Sequence, residues 1–406
     1  MKSPVLSHFT PARRLSLVIA MIGLPVMAGE GLPPPTAQGG AGLTRDQLPH
    51  DEMPVFARAN LELELWQSAQ RLQAQGKLAP PDPAQRISGL EWPLRPRAGY
   101  TDPNYHGISN FVDLNPAFPN QVLDYACGAR TYDQAGGYNH AGIDYFLFPF
   151  AWRMMDAQLI EIVASAPGTI IHKVDGWDDR SCVNNYSDSW NAVYVQHGDG
   201  TVAWYGHMKI GSPTSKPVGA SVTTGEYLGL VASSGFSSGP HLHFELRGSN
   251  APGAQIFEPH NGTCRTGESL WSVQRPYRDS GINKLATHFA VPSFAVGCPN
   301  PGQETPNFRN NFNPGVDSLY VAGYYRDLLS GAQTTYRLRH GSDPPMTWQG
   351  TSDGDYSASF WYWFWSPLPA NTARGIWIFE ATFNGRTYYH EFTVGTDIIM
   401  ATSFGG

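Results

Sequence analysis

The chain has 406 residues, of which 41% are hydrophobic, 13% aromatic and only 15% charged, and its formal net charge is −7. This composition excludes a mainly disordered chain and a long coiled coil, because the first is poor in aromatic residues and the second needs sustained charged heptads. The negative charge argues against a broad surface for nucleic acid or anionic membranes. With 43 glycines and 33 prolines, the sequence predicts a mostly β protein of two or three domains.

The first 28 residues have the pattern of an export signal. Basic residues precede an apolar run from Leu15 to Met27, and Val26-Met27-Ala28 gives the small-x-small pattern of a cleavage site. A short membrane anchor is the alternative, but the run is shorter than the ~20 residues that a spanning helix needs. We therefore expect a secreted protein, or a periplasmic one in a double-membrane bacterium, that leaves the membrane after cleavage.

Residues 29–88 divide into two parts. Residues 29–50 are rich in proline and glycine, which is typical of a linker. Residues 53–78 have a helical pattern, with one apolar face formed by Leu61, Leu65, Ala69 and Leu72. Prolines follow this stretch. It is either a removable propeptide or a helical arm packed on the main domain, and the sequence leaves both open.

Residues 89–300 alternate short strands with long loops rich in glycine, serine and aspartate. The clearest strands are predicted at 191–197, 201–205, 227–232 and 241–247. Asp199-Gly200 predicts a tight hairpin between the first two. We interpret this region as one domain.

Residues 315–400 predict a smaller C-terminal β-sandwich. Aromatic and β-branched runs at sandwich-like spacing lie at 320–326, 335–339, 358–365, 375–383 and 387–394. Asn384-Gly385 marks a tight turn between the last two. The aromatic run 361–365 invites a sugar-binding interpretation, although a sandwich buries alternate strand residues.

The four cysteines fit an exported protein, because disulfides persist outside the reducing cytosol. None belongs to a C-x-x-C pair, so a structural zinc knot is not expected. Four cysteines allow three pairings. Chain order alone favours Cys127–Cys182 and Cys264–Cys298.

Two polar patterns within residues 89–300 point to a metal. The spacing of His140 and Asp144 lets both side chains point the same way on a strand or on one helical turn. In the stretch 239–245, a period of two puts His241, His243 and Glu245 on one face of a strand and apolar residues on the other. Imidazole and carboxylate groups are good zinc ligands.

These stretches, together with Tyr205-Gly206-His207, resemble the lysostaphin/β-lytic type of zinc metallopeptidase. The resemblance covers roughly residues 92–247, and it includes the family's order of H-x-x-x-D, Y-x-H and S-S-G-x-S-x-G-P-H-L-H-F-E elements. It implies an antiparallel β-sheet peptidase domain with long loops. The residues that it implies as Zn²⁺ ligands are His140, Asp144 and His243, and the implied catalytic pair is His207 and His241.

General zinc chemistry also supports such a site, apart from the family resemblance. Three protein ligands leave a fourth zinc position for water, and a nearby imidazole can take that water's proton. We assign His241 as the base and His207 as the group that stabilises the oxyanion. Glu245 is interpreted as a supporting residue, and Tyr138 and Tyr205 are expected beside the site.

The resemblance implies a secreted zinc metalloendopeptidase that cuts peptide bonds in bacterial cell-wall peptidoglycan, often next to glycine, or in Gly-rich peptides. One alternative is a catalytically silent cell-wall-binding or regulatory protein of the same fold. Another is a carbohydrate- or protein-binding function carried by the C-terminal sandwich.

Overall fold

The computed structural model describes residues 32–395, except 36, 45–46, 51–52, 83, 183–188 and 294–303. The predicted export signal at 1–28 therefore lies outside the described residues. The protein is mostly β, as predicted, with 37% strand and 8% helix. Neither helix in the described ranges combines the length and the apolar character that crossing a membrane requires.

The described residues form two helices, α1 (Val55–Ala74) and α2 (Ala151–Asp156), and twenty strands. In chain order the strands are β1 (Ala37–Leu43), β2 (Leu94–Pro96), β3 (His106–Asn110), β4 (Ile143–Leu147), β5 (Ile160–Val163), β6 (Gly168–Val174), β7 (Ala192–Gln196), β8 (Val202–Tyr205), β9 (Ser221–Val222), β10 (Tyr227–Leu230), β11 (His241–Arg247), β12 (Ile256–Phe257), β13 (Gly281–His288), β14 (Asn311–Phe312), β15 (Leu319–Leu328), β16 (Gln333–His340), β17 (Met346–Thr351), β18 (Tyr356–Trp365), β19 (Gly375–Phe383) and β20 (Arg386–Val394).

The largest sheet, which we call the central sheet, has the order β3-β4-β11-β8-β7-β6-β9, with β12 added beside β11. Strands β7 and β8 form the predicted hairpin, and Gly200 in its turn has a φ of 93° that suits glycine. One face of the central sheet is apolar and packs with the small sheet β10-β5-β2. From β11, Leu242, Phe244 and Leu246 point into this core, so the predicted alternation is confirmed.

Helix α1 covers the opposite face of the central sheet. Its predicted apolar residues, Leu61, Leu65, Ala69 and Leu72, are all buried. They pack against a group on the sheet that includes Tyr194 and Trp204. Packing of an apolar face stabilises a helix more than the helix propensity of its residues does. The apolar pattern in the sequence therefore predicted the position of α1 correctly.

The C-terminal part forms two packed sheets. The inner sheet has the order β1-β18-β15-β13, and the outer sheet has the order β14-β20-β19-β16-β17. Apolar residues between them form a second core. The other face of the inner sheet packs on Phe146 of β4 and on Phe148 and Phe150, which follow that strand. Strand β13 falls within the predicted domain 89–300, yet it pairs with β15 of the inner sheet.

The segment 29–50 was expected to be a linker, but it contains β1, which pairs along its whole length with β18. Its glycines permit this pairing. A Cβ atom at Gly39 or Gly42 would overlap the rings of Tyr362 and Tyr356, respectively. The glycine content of this segment therefore reflects close packing under aromatic rings.

The aromatic run 361–365 is partly taken up by packing. Trp363 and Trp365 are buried in the core between the inner and outer sheets. Tyr362 packs on the other face of the inner sheet, beside the phenylalanines of the neighbouring region. Trp361, Tyr362 and Phe364 are partly exposed, so packing accounts for part of the run and the sugar-binding interpretation stays a prediction.

The disulfide pairing favoured by chain order is wrong. The structure joins Cys127 to Cys264, with 5.0 Å between their Cα atoms. The loops that carry them are adjacent, since the Cys264 amide donates to the Tyr125 carbonyl over 2.9 Å. Cys298 lies outside the described residues.

Candidate active site

Strand β11 provides the base of the candidate site. His241, His243 and Glu245 lie on the face opposite the apolar core, as the period of two predicts, and all three are fully buried. In the antiparallel ladder His243 lies directly opposite Asp144 of β4. We call this side of the central sheet the histidine face.

Three predicted ligands meet on the histidine face. His140 Nε2 lies 3.1 Å from Asp144 Oδ2, and His243 Nδ1 lies 3.1 Å from Asp144 Oδ1. The three ligand atoms all lie within 4.8 Å of one another, and the three side chains are 0% exposed. The structure thus brings His140, Asp144 and His243 together although His243 is 99 residues from Asp144 in the chain.

In both His140 and His243, the nitrogen that points away from Asp144 faces a hydrogen-bond acceptor. The nitrogen that points toward Asp144 therefore has the lone pair. His140 Nδ1 lies 2.7 Å from the Phe111 carbonyl oxygen, which can only accept a hydrogen bond. His243 Nε2 lies 3.3 Å from Glu245 Oε2, which likewise accepts when ionised. Two lone pairs and a carboxylate therefore converge on one point, which is a donor set that fits Zn²⁺.

Electrostatics keep the two carboxylates of this face ionised. Burial raises the pKa of Asp144, but the imidazoles of His140, His243 and His241 outweigh it and hold that pKa well below its usual range. Burial also raises the pKa of Glu245, and the Arg58 guanidinium, with smaller contributions from His243 and Arg247, lowers it far more. Both groups are therefore acceptors at neutral pH.

The predicted catalytic pair lies beside the three ligands. The ring centroids of His207 and His241 are 4.3 Å apart, and His241 Nε2 is 3.7 Å from Asp144 Oδ1. His207 Nδ1 lies 2.6 Å from the Ser234 carbonyl oxygen, and His241 Nδ1 lies 2.8 Å from that of Gly239. Each ring thus donates through Nδ1 and, when neutral, has its lone pair on Nε2.

Tyr205 was expected beside the site, and this prediction is wrong. Its ring lies in the apolar core on the other face of the central sheet, and its hydroxyl is 2.8 Å from Ser165 Oγ. A continued strand would place residues 205 and 207 on the same face. Strand β8 ends at Tyr205, and His207 has a left-handed φ of 58°, so the chain turns the His207 ring onto the histidine face.

Two aromatic rings contact the site histidines, and a third lies next to one of these rings. The ring of Trp190 lies 4.7 Å from that of His207 and 5.5 Å from that of His243. Tyr132 stacks on His140 at 4.7 Å, and Tyr138, which was predicted near the site, lies 6.1 Å from Tyr132. Trp190 and Tyr132 were not predicted, since neither stands in a recognisable pattern.

Helix α1 is fixed to the histidine face by two buried ion pairs. Arg58 Nη1 donates to both oxygens of Glu245, over 2.9 and 3.0 Å. Glu62 pairs with Arg247 at 2.6 Å and accepts from the Gly253 amide at 2.8 Å. These two ion pairs join residues that lie almost two hundred positions apart in the chain, so no local sequence pattern predicts them.

The chain before α1 also lies against the site. The His50 amide donates to Ser238 Oγ over 3.0 Å, and the Ser238 amide donates to the His50 carbonyl over 3.1 Å. Ser109 Oγ donates to the Pro49 carbonyl over 2.9 Å. This segment and α1 thus lie beside the five predicted site residues, all of which are 0% exposed. We call residues 47–50 and 53–78 the cover.

The region that contains the candidate site is similar to a known protein family. Residues 139–254 match the model of "Peptidase family M23". A curated relative, the DD-carboxypeptidase/endopeptidase Mpg of Neisseria meningitidis serogroup B, is 32% identical over 148 residues, which are 36% of this chain and 29% of the relative. The chain thus matches less than a third of that relative's length.

Two solved structures were also matched. The catalytic domain of the prophage-encoded M23 protein EnpA from Enterococcus faecalis, crystallised as a point mutant, is 29% identical, with a TM-score of 0.22, and the match covers 36% of this chain and 93% of that one. A zinc-containing peptidase from Vibrio cholerae is 19% identical, with a TM-score of 0.25, over 42% of this chain and 39% of that one. The match to the family model includes all five predicted site residues, and residues 139–254 are a peptidase family M23 domain.

Proposed function

We propose that the protein is a secreted zinc metalloendopeptidase that hydrolyses peptide bonds in bacterial cell-wall peptidoglycan. The observation that carries the proposal is the convergence of His140 Nε2, Asp144 and His243 Nδ1 beside a second pair of histidines. Three ligands of this kind leave a coordination position open for the reacting water, as a catalytic site requires. The family match and the DD-carboxypeptidase/endopeptidase activity in the name of the Neisseria relative support the substrate class.

Zinc bound by these residues would polarise the scissile carbonyl and lower the pKa of its water toward ~7. His241 is the proposed base, because its Nε2 lies beside the ligand cluster, 3.7 Å from Asp144 Oδ1. Its bond to the Gly239 carbonyl holds the ring in the tautomer that can accept a proton.

His207 is the proposed stabiliser of the oxyanion. Its Nδ1 is committed to the Ser234 carbonyl, so a second proton would reside on Nε2 and make this atom a charged donor. The left-handed backbone at His207 and the nearly perpendicular ring of Trp190, 4.7 Å away, set the direction of the His207 ring.

Variants of the two histidines test these roles. We expect His241→Ala to retain zinc and to lower kcat about 100- to 10,000-fold on a cross-linked stem peptide, since this is the usual contribution of a general base. Peptides with and without glycine at the cut bond, analysed by mass spectrometry, would identify the bond. Zinc loss in His241→Ala would contradict its assignment as a base outside the ligand set.

We further propose that the protein is made as a latent precursor and that the cover is a propeptide. The burial of the five site residues, together with the contacts of the cover to Glu245 and Ser238 beside them, supports this. The residues after the cover, Ala79 to Asp82, are exposed and suit proteolysis.

An engineered protease site inserted between Ala79 and Pro80 tests latency. We expect hydrolysis of a short peptide to begin only after the site is cut and the whole fragment before it, which contains both β1 and the cover, has been removed. Equal activity before and after removal would overturn latency and leave the enzyme proposal standing. Export is supported by the sequence of residues 1–28 and by the Cys127–Cys264 disulfide.

A further inference from the structure

His243 is held differently from the other three histidines of the site. His140, His207 and His241 each donate through Nδ1 to a main-chain carbonyl oxygen, over 2.6 to 2.8 Å. In His243 the roles of the two nitrogens are reversed. Its Nδ1 faces Asp144, and its Nε2 faces the Glu245 carboxylate at 3.3 Å. The hydrogen-bond acceptor for the His243 ring is therefore a side-chain carboxylate, whereas for the other three rings it is a main-chain carbonyl.

The geometry of β11 explains why Glu245 has this position. Residues two apart on a strand lie on the same face, so Glu245 is the next side chain along the histidine face after His243. The carboxylate is fully buried, and both of its oxygens accept hydrogen bonds from Arg58 Nη1, at 2.9 and 3.0 Å. Arg247 Nε lies 3.5 Å away. The acceptor that faces His243 is therefore rigid.

The imidazole of His243 has little room to turn. A Cβ atom at position 142 would lie 2.5 Å from His243 Nε2, so only glycine fits there. Trp190 closes the site with its ring 5.5 Å from that of His243. Confined between these residues, the ring has one orientation, and the group opposite Nε2 decides which nitrogen carries the hydrogen.

We propose that Glu245 is a positioning residue for the zinc ligand His243: it accepts a hydrogen bond from Nε2–H and so turns the Nδ1 lone pair toward the metal. This inference rests on the proposed zinc site. Groups that orient a metal-ligating histidine in this way typically contribute about 10- to 100-fold to metal affinity. Glu245 acts through His243 and has no proposed contact with substrate.

The alternative is a purely structural role, in which Glu245 serves to anchor α1 through Arg58. Glu62 provides a matched control, because it forms the other buried ion pair between α1 and β11, with Arg247 at 2.6 Å. Glu62→Gln weakens the anchoring of the helix by the same chemical change and leaves His243 untouched. The two roles therefore predict different zinc affinities for the two positions.

The experiment is zinc competition against a chromophoric chelator, for the full chain and three variants. We expect Glu245→Ala to raise the zinc dissociation constant about 10- to 100-fold. Glu245→Gln should recover part of the loss, because its amide oxygen can still accept from Nε2–H, and Glu62→Gln should match the parent. Unchanged affinity in Glu245→Ala, or an equal loss in Glu62→Gln, would overturn the proposal.

A second measurement needs no variant at position 245. The ¹⁵N shifts of the imidazole nitrogens in the zinc-free parent distinguish the two tautomers, and the His243 signals are assigned by their absence in His243→Gln. We expect the Nε2–H form for His243 and the Nδ1–H form for His140. An Nδ1–H form at His243 would overturn the proposal. A parent that binds no zinc would refute the proposed function, and the tautomer would still decide the role of Glu245.

Discussion

Leu65→Ala should activate the uncut protein. Leu65 lies on α1, is 1% exposed and packs against the group that contains Tyr194 and Trp204 on the central sheet. Replacing a buried leucine by alanine costs about 2–5 kcal/mol. Because this contact is between the cover and the sheet, the loss weakens docking of the cover. At 1.4 kcal/mol per tenfold, the undocked population rises about 30- to 4,000-fold.

The assay is the rate at which uncut protein hydrolyses a short stem peptide, compared with the rate after the cover has been removed. We expect the uncut variant to gain activity by up to the same factor, limited by the rate of the cut enzyme. Leu338→Ala is the matched control, since Leu338 is also 1% exposed but lies in the C-terminal core. Unchanged or reduced activity in uncut Leu65→Ala, with a fully active cut form, would refute the reasoning.

Two further predictions concern the ligand site and the C-terminal sheets. Gly142→Ala should displace the His243 ring and weaken zinc binding in a chelator competition, because the new Cβ would lie 2.5 Å from Nε2, whereas Gly136→Ala, where no atom lies within 4 Å, should leave it unchanged. Equal zinc affinity in both variants would contradict the packing argument. His288 is fully buried in β13, and burial lowers its pKa to about 4. Between pH 6.5 and 4 the unfolded chain binds a proton that the native state does not, so the free energy of unfolding should fall by about 2 kcal/mol from pH 6.5 to pH 5. Denaturant titrations should show a shallower pH dependence in His288→Asn, and an identical slope would show that His288 is not the source.

Local patterns predicted the side-chain directions of β11 well. The alternation in β11 is strict, so the face that carries His241, His243 and Glu245 follows from the sequence alone. The hairpin at Asp199-Gly200 and the apolar face of α1 were predicted for the same reason. In each case the residues that determine the local structure lie within the same short stretch of sequence.

Features that depend on distant contacts were not predictable in this way. Chain order gave the wrong partner for Cys127, because nothing local records that its loop meets the loop of Cys264. Tyr205 was misplaced because the left-handed backbone at His207 breaks the alternation. A glycine-rich stretch resembled a linker, although Gly39 and Gly42 are the residues that let β1 lie beneath aromatic rings of β18.

The cover illustrates the same limit at the level of function. The sequence predicted a helix at residues 53–78 but left its relation to the site open. The structure places Arg58 against Glu245, two residues along β11 from the proposed ligand His243. Because of this contact, we interpret α1 as a candidate regulator of access to the histidine face.

The most direct test measures zinc content and peptide hydrolysis together, on protein from which the cover has been removed. His243→Ala is compared with the parent and with His340→Ala, a histidine of β16 outside the site. We expect one zinc per chain and cleavage of a cell-wall stem peptide in the parent and in His340→Ala, and the loss of both in His243→Ala. Cleavage by a zinc-free His243→Ala protein, or zinc without cleavage in the uncovered parent, would contradict the account.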